Sequence, residues 1–236
     1  MSYLGIPFLW NVYDQTDEMC EFAVQKNGME LYFVQNQTNR TCKLAVEQNG
    51  LYLKYVNNQT NEICEISVRQ NTNALQCVQN QTDEICKLAV QQNSTSIRFV
   101  KNPTEEMIII ALKKNGMALE YIKNPTEKMM EIALRENGDA LYYVKNQTDE
   151  LCKLAIQQNS ASLRFVKNQT NKICKLAVKQ NGCALKYVKK QTNEICKLAV
   201  QQDGLALQYI EHPTEEIIEI AQRNNRNGLE KMFNND

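Results

Sequence analysis

Residues 170–191 read TNKICKLAVKQNGCALKYVKKQ, and residues 192–213 read TNEICKLAVQQDGLALQYIEHP. The second stretch repeats the first with a few substitutions, which makes the period 22 residues. Threonine marks that period at 16, 38, 60, 82, 104, 126, 148, 170, 192 and 214, with no insertion between copies. Taking each threonine as position zero, the repeat is approximately T-[DNE]-E-I-C-K-L-A-V-x-Q-N-G-x-A-L-x-Y-V-K-N-[QP]. Leu9-Trp10-Asn11-Val12 matches the end of an earlier copy.

Threonine is a good N-cap, and the acidic residues after it suit the positive end of a helix. Pro103, Pro125 and Pro213 sit just before the cap, where proline costs no helical hydrogen bond. Positions one to ten are helix-compatible, and Asn-Gly at eleven and twelve tolerates left-handed geometry, predicting a stop there. Thr72, Ser94 and Ser160 replace that glycine and predict a cap at position twelve for a second helix of about seven residues. So short a helix is marginal alone and requires packing. Apolar residues at positions three, four, six, seven and eight exceed one stripe, so the first helix is covered on at least two sides. Strand alternation and the spacing of leucine-rich repeats are both absent.

The expected fold is therefore all-α, an α-solenoid of about ten 22-residue helix-turn-helix repeats forming a superhelical rod. No composition break or linker interrupts it, so the chain reads as a single domain. Residues 1–15 form an N-terminal lid and partial repeat, with Phe8, Leu9, Trp10 and Val12 as its apolar side chains. Residues 16–213 form nine full repeats. Residues 214–236 form a polar capping repeat, with Gln222, Arg226 and Lys231 where other copies carry Val, Gly and an aromatic.

The N-G-x-A-L-x-Y-V core, as in Asn115 to Ile122 and Asn181 to Val188, is followed by T-x-E and a second apolar helix. In this the chain resembles the tandem repeats called domain of unknown function 4116. The resemblance implies short helical repeats of giant DNA viruses of amoebae and of amoeba-associated bacteria. The spacing of 22 and threonine rather than aspartate at the cap depart from the usual pattern. No activity is established for that family, so the resemblance assigns no catalytic residue.

Composition narrows the function classes. Lys+Arg and Asp+Glu are 27 each, which argues against a generic polyanion binder while leaving local patches open. No run approaches the roughly 18–20 apolar residues of a membrane span, and the opening MSYLGIPFLW lacks the basic region of a signal peptide. Position four holds Cys20, Cys42, Cys64, Cys86, Cys152, Cys174 and Cys196. A metal or redox ladder would need C-x₂-C spacing or nearby histidine. Ile108, Met130 and Ile218 take the same place in the other copies, which marks it as an apolar core position. Reduced, buried thiols favour an intracellular, cytoplasmic setting, the host cytoplasm for a viral chain. The Asn-Gln-Thr sequons are explained by helix termination and capping. His212 is the one histidine and no catalytic constellation can be assembled around it, so neither enzyme, cofactor nor metal is expected.

Two features point outward. Aromatics recur at position seventeen, as Phe33, Tyr55, Phe99, Tyr121, Tyr143, Phe165, Tyr187 and Tyr209, and either pack half-buried or stack bases. Charge is also uneven: residues 1–100 hold seven basic and ten acidic side chains, whereas 101–200 hold seventeen and ten. Residues 153–193 contain no acid but carry Lys153, Arg164, Lys167, Lys172, Lys175, Lys179, Lys186, Lys189 and Lys190, a candidate patch for an anionic partner. Lysine at position nineteen in five consecutive copies could equally complement the end of the second helix. The leading expectation is a non-enzymatic scaffold for a protein partner, with positions five, nine, thirteen and sixteen exposed. The alternative is nucleic acid or another polyanion bound at 153–190.

Overall fold

The structure, a computed structural model, describes residues 9–233, with side chains as far as 225. Among these residues every element is helical, and the chain is a helical-repeat array. It divides into two compact units, 1–111 and 112–236, where the sequence reads as one domain. The first unit holds α1 (Asp17–Lys26), α2 (Asn39–Gln48), α3 (Asn61–Gln70) and α4 (Asp83–Gln92). The boundary falls inside α5 (Glu105–Lys114). The second unit holds α6 (Glu127–Glu136), α7 (Asp149–Gln158), α8 (Asn171–Gln180), α9 (Asn193–Gln202) and α10 (Glu215–Phe233).

Each α-helix starts where its threonine predicts. Thr170 is extended, at φ −82° and ψ 156°, and its hydroxyl accepts the Ile173 amide at 3.3 Å. Eight other threonines, from Thr16 to Thr192, do the same. Positions three, four, seven and eight are then buried, in α8 as Ile173, Cys174, Ala177 and Val178.

The second helix differs from expectation. It is a 3₁₀-helix of six residues, as at Gly28–Phe33 in the first unit and Gly182–Tyr187 in the second. Its cap is the asparagine at position eleven, not the residue at twelve. Asn181 is extended at φ −150° rather than left-handed, and its Oδ1 accepts the Cys183 amide at 2.9 Å. Thr72, Ser94 and Ser160 are thus the first residues of their helices, behind Asn71, Asn93 and Asn159. Glycine at twelve answers a close approach instead: a Cβ on Gly116 or Gly138 would run into the carbonyl oxygen of Ala133 or Ala155 in the next repeat.

The 3₁₀ geometry has three residues per turn, so side chains three apart share a face. Gly182, Leu185 and Val188 turn inward and are buried, while Lys186 and Lys189 are exposed. Within each unit an α-helix packs on the α-helix of the next repeat and on the 3₁₀-helices of its own and the preceding repeat, as α2 and α8 do.

The two ends depart from the pattern. Leu9 is buried, and its amide donates to the buried Glu30 carboxylate at 3.0 Å; Val12 is half-buried, but Trp10 is 64% exposed and turned away from the lid's core. Phe8 lies outside the described residues. In the last copy α10 runs on through position twelve with no 3₁₀ segment, so this copy is one helix rather than a helical pair. Gln222 is exposed; the side chains of Arg226 and Lys231 lie outside the described part.

The capping threonine carries a measurable share of local stability. Thr170→Ala should cost about 1 kcal/mol, the usual loss for an N-cap, and Thr170→Ser should be nearly silent. Amide exchange should quicken in the repeat that starts at Thr170 and in its two neighbours, because such arrays are stabilised through nearest-neighbour interfaces.

Candidate functional site

The cysteine ladder resolves into a hydrogen-bonded seam. In seven copies the residue before the threonine is glutamine, and its amide links two repeats. Gln37 Nε2 donates to the Leu31 carbonyl at 3.1 Å and the Tyr55 carbonyl at 2.7 Å, while its Oε1 accepts the Asn57 amide at 2.9 Å. The Cys42 thiol donates to the same oxygen at 3.7 Å. Gln59, Gln81, Gln147 and Gln169 repeat this pattern with Cys64, Cys86, Cys152 and Cys174. A second seam uses position ten: Gln48 Oε1 accepts the Gly28 amide at 2.7 Å and its Nε2 donates to the Val24 carbonyl at 2.7 Å.

This explains a pairing in the sequence that the apolar-core reading passes over. Cys stands at position four in the seven copies with Gln before the threonine, and Ile108, Met130 and Ile218 stand in the three copies with Pro103, Pro125 and Pro213. Proline offers the thiol no acceptor. The seven cysteines are buried and all nine are free. Burial pushes their thiols above the ordinary range, that of Cys86 to about 11 with Asp83 adding to the effect. Among the described residues no group of His, Cys, Asp and Glu is placed to hold a metal ion.

The nine basic residues of 153–190 fall into three settings. The first is the outer face of the α-helices. There a lysine at position five generally meets a glutamate at position two of the next repeat: Lys43–Glu62, Lys175–Glu194 and Lys197–Glu216 at 2.6 Å, and Lys87–Glu106 at 2.7 Å. Lys153 has Lys172 at that place, so it turns to Glu150 of its own helix at 2.5 Å. Lys172 and Lys179 have no ion pair or hydrogen bond among the described residues.

The second setting is the repeat junction. Lys167 Nζ donates to the Lys145 carbonyl at 2.6 Å, and Lys189 Nζ to the Lys167 carbonyl at 3.1 Å. Position-nineteen lysines therefore complement the end of the preceding repeat's 3₁₀-helix, not their own, and their acceptors are neutral. Lys167, Lys189 and Lys190 line one groove of about 390 Å³ with Asn171. A groove in the first unit has Gln79, Lys101, Asn102 and Asp83 at the corresponding positions.

The third setting is the ring row at position seventeen, which is half-buried in most copies. Position sixteen is exposed in all nine 3₁₀-helices that reach it, and Tyr32, Tyr142 and Arg164 there each bridge two successive rings. Tyr142 meets Tyr143 and Phe165 edge to face, with centroids 5.1 and 5.5 Å apart. The Arg164 guanidinium lies 4.6 Å from the Phe165 centroid and 5.9 Å from that of Tyr187, and Lys186 lies 4.8 Å from Tyr187. Asp139 also holds Arg164, at 2.5 Å. A hydrogen bond from Lys186, with Arg164 adding, keeps the Tyr187 phenol below its ordinary range. The first unit starts the same way, with Tyr32 between Phe33 and Tyr55 at 5.0 and 5.2 Å. There the row is interrupted by Gln76 and Cys77. Position nine is exposed as expected, but five and thirteen are mostly half-buried.

These stacked α/3₁₀ pairs place the chain in the class of all-α helical-repeat proteins. Within it, residues 172–213, nearly two repeats of the second unit, match the family model described as Domain of unknown function (DUF4116), which supports the resemblance read from the sequence. No curated protein and no solved structure matches the chain. No helix among the described residues is long and apolar enough to cross a membrane.

Thiol reactivity checks the seam. At pH 8 iodoacetamide should modify only the half-exposed Cys77 and Cys183 of the folded chain. Reaction there should be slow, since burial raises both thiols and keeps them protonated. Mass spectrometry should find the seven position-four thiols modified only after denaturation.

Proposed function

We propose that the chain is a non-enzymatic repeat scaffold that binds a protein partner through the first unit. The observation that carries this reading is a cluster of exposed apolar side chains. Of the eight large hydrophobic side chains exposed among the described residues, six lie between Trp10 and Phe33: Trp10, Tyr13, Phe22, Met29, Tyr32 and Phe33. Exposed apolar side chains concentrated in one part of a chain mark interaction sites, and aromatic anchors contribute most of the energy at interfaces. Tyr32 is 64% exposed yet fixed between two rings, so little side-chain freedom is lost on binding. Nine free thiols support a reducing, cytoplasmic setting, and the family resemblance supports an origin among giant viruses of amoebae. A second reading, nucleic acid or another polyanion bound by the second unit, is favoured by Lys153 and Lys172, the two cations that meet where other repeats pair Lys with Glu.

The first reading is tested by capture from cell extract with the wild-type chain and with a Tyr32→Ala, Phe22→Ala variant whose helical circular dichroism is unchanged. Proteins retained by the wild type and lost from the variant support it. An identical set from both rejects it.

A further inference from the structure

We propose that the strip from Tyr142 to Lys189, on the outward face of the 3₁₀-helices of the second unit, is a platform for single-stranded nucleic acid, with bases on its rings and phosphates on its position-nineteen lysines. The proposal rests on the polyanion reading and makes it specific as to ligand and site.

Three observations converge. The strip is continuous: Tyr143, Tyr142, Phe165, Arg164, Tyr187 and Lys186 contact one another in series across three repeats. Its members are accessible, since Tyr142 is 65% exposed and Arg164 and Lys186 are exposed as well. Position nineteen lies two residues past the ring position, just beyond the end of the 3₁₀-helix, and is exposed as Lys145, Lys167 and Lys189. Each ring of the row is thus followed closely along the chain by an exposed lysine.

The electrostatics fit a polyanion. Lys167 and Lys189 are held by carbonyl oxygens, and Lys186 by a ring and a phenol, so hydrogen bonding leaves their positive charge uncompensated. Two carboxylates lie at the strip: Asp139, paired with Arg164, and Glu120, hydrogen-bonded to the Tyr143 phenol at its start. Rings alternating with cations, flanked by a lysine row, supply both halves of single-strand recognition, stacking surface and backbone charge. A protein partner of acidic character would use the charge but not the rings. A duplex has its bases already stacked and would gain nothing from them. In the first unit three of the four positions nineteen are uncharged, Gln35, Asn57 and Gln79, with Lys101 the fourth, and the ring row is interrupted at Cys77, so that unit serves as a weaker site for internal comparison.

The test uses the full chain and a labelled oligothymidylate of about 16 nucleotides, with anisotropy read at low and moderate salt. A duplex of equal length, inorganic polyphosphate and polyglutamate serve as competitors. Saturable binding should fall steeply with salt. Tyr142→Ala, at an exposed side chain, and Phe165→Leu should each weaken it roughly tenfold while leaving polyphosphate binding unchanged. Lys167→Gln with Lys189→Gln should weaken both ligands and reduce the salt slope by about 1.4, two phosphate contacts on a single strand. Binding in which duplex, polyphosphate or polyglutamate competes as well as the oligonucleotide, with Tyr142→Ala silent, would overturn the platform and leave a general polyanion site. No binding of oligonucleotide or polyphosphate at low salt overturns both.

Discussion

The architecture depends on one side chain used again and again: the glutamine that precedes the capping threonine in seven of the ten copies. Its amide donates to a carbonyl near the end of one 3₁₀-helix and to the carbonyl that ends the next, and its oxygen accepts a backbone amide of that next repeat. A six-residue 3₁₀-helix has poorer hydrogen-bond geometry than an α-helix and rarely runs beyond three or four residues unaided. Here its terminal groups are satisfied from the neighbouring repeat. The position-ten glutamine serves the other end, through the amide of position twelve. Local structure and stacking are therefore coupled through these side chains.

The seam shapes the surface as well. A 3₁₀-helix returns to the same face every third residue, so burying positions twelve and fifteen leaves sixteen facing out in each of the nine 3₁₀-helices that reach it. An α-helix in that place would rotate the exposed row from turn to turn. Fixed in register, side chains of successive repeats meet, and Tyr142, Phe165, Arg164 and Tyr187 join into one row. The charge pattern follows from the same register. Lys175 finds Glu194 because positions five and two face each other across adjacent helices, and Lys153 and Lys172 stand out because they break that rule.

Much of this is legible in the sequence. The period of 22, the threonine caps and the burial of Ile173, Cys174, Ala177 and Val178 follow from spacing and residue type alone. The 3₁₀ character is not, because A-L-x-Y-V carries no propensity that separates it from α, and the same 3₁₀-helix forms where Thr72, Ser94 and Ser160 replace the glycine. Asn-Gly misleads in the same way, since the pair is familiar for left-handed turns while here Asn181 caps from an extended conformation. The seam was visible in principle as the pairing of Gln with Cys and of Pro with Ile or Met, five residues apart. Its meaning required the fold, because the glutamine's carbonyl partners lie eighteen residues ahead and six behind. Of the basic patch, sequence finds the missing acids but not the partners. Only three dimensions separate Lys175, paired with Glu194, from Lys172, which has no such partner among the described residues.

The most direct measurement is the denaturant unfolding and amide exchange of Gln59→Leu against Gln76→Leu, the latter at an exposed site. Gln59 holds the Leu53 and Cys77 carbonyls and the Gln79 amide, at 3.2, 2.9 and 2.9 Å. At about 1 kcal/mol for each hydrogen bond removed, Gln59→Leu should cost about 3 kcal/mol and speed exchange of the Gln79 amide, while Gln76→Leu should stay within about 0.5 kcal/mol of the wild type. Equal, small effects from the two substitutions, with the Gln79 amide still protected, would contradict the account.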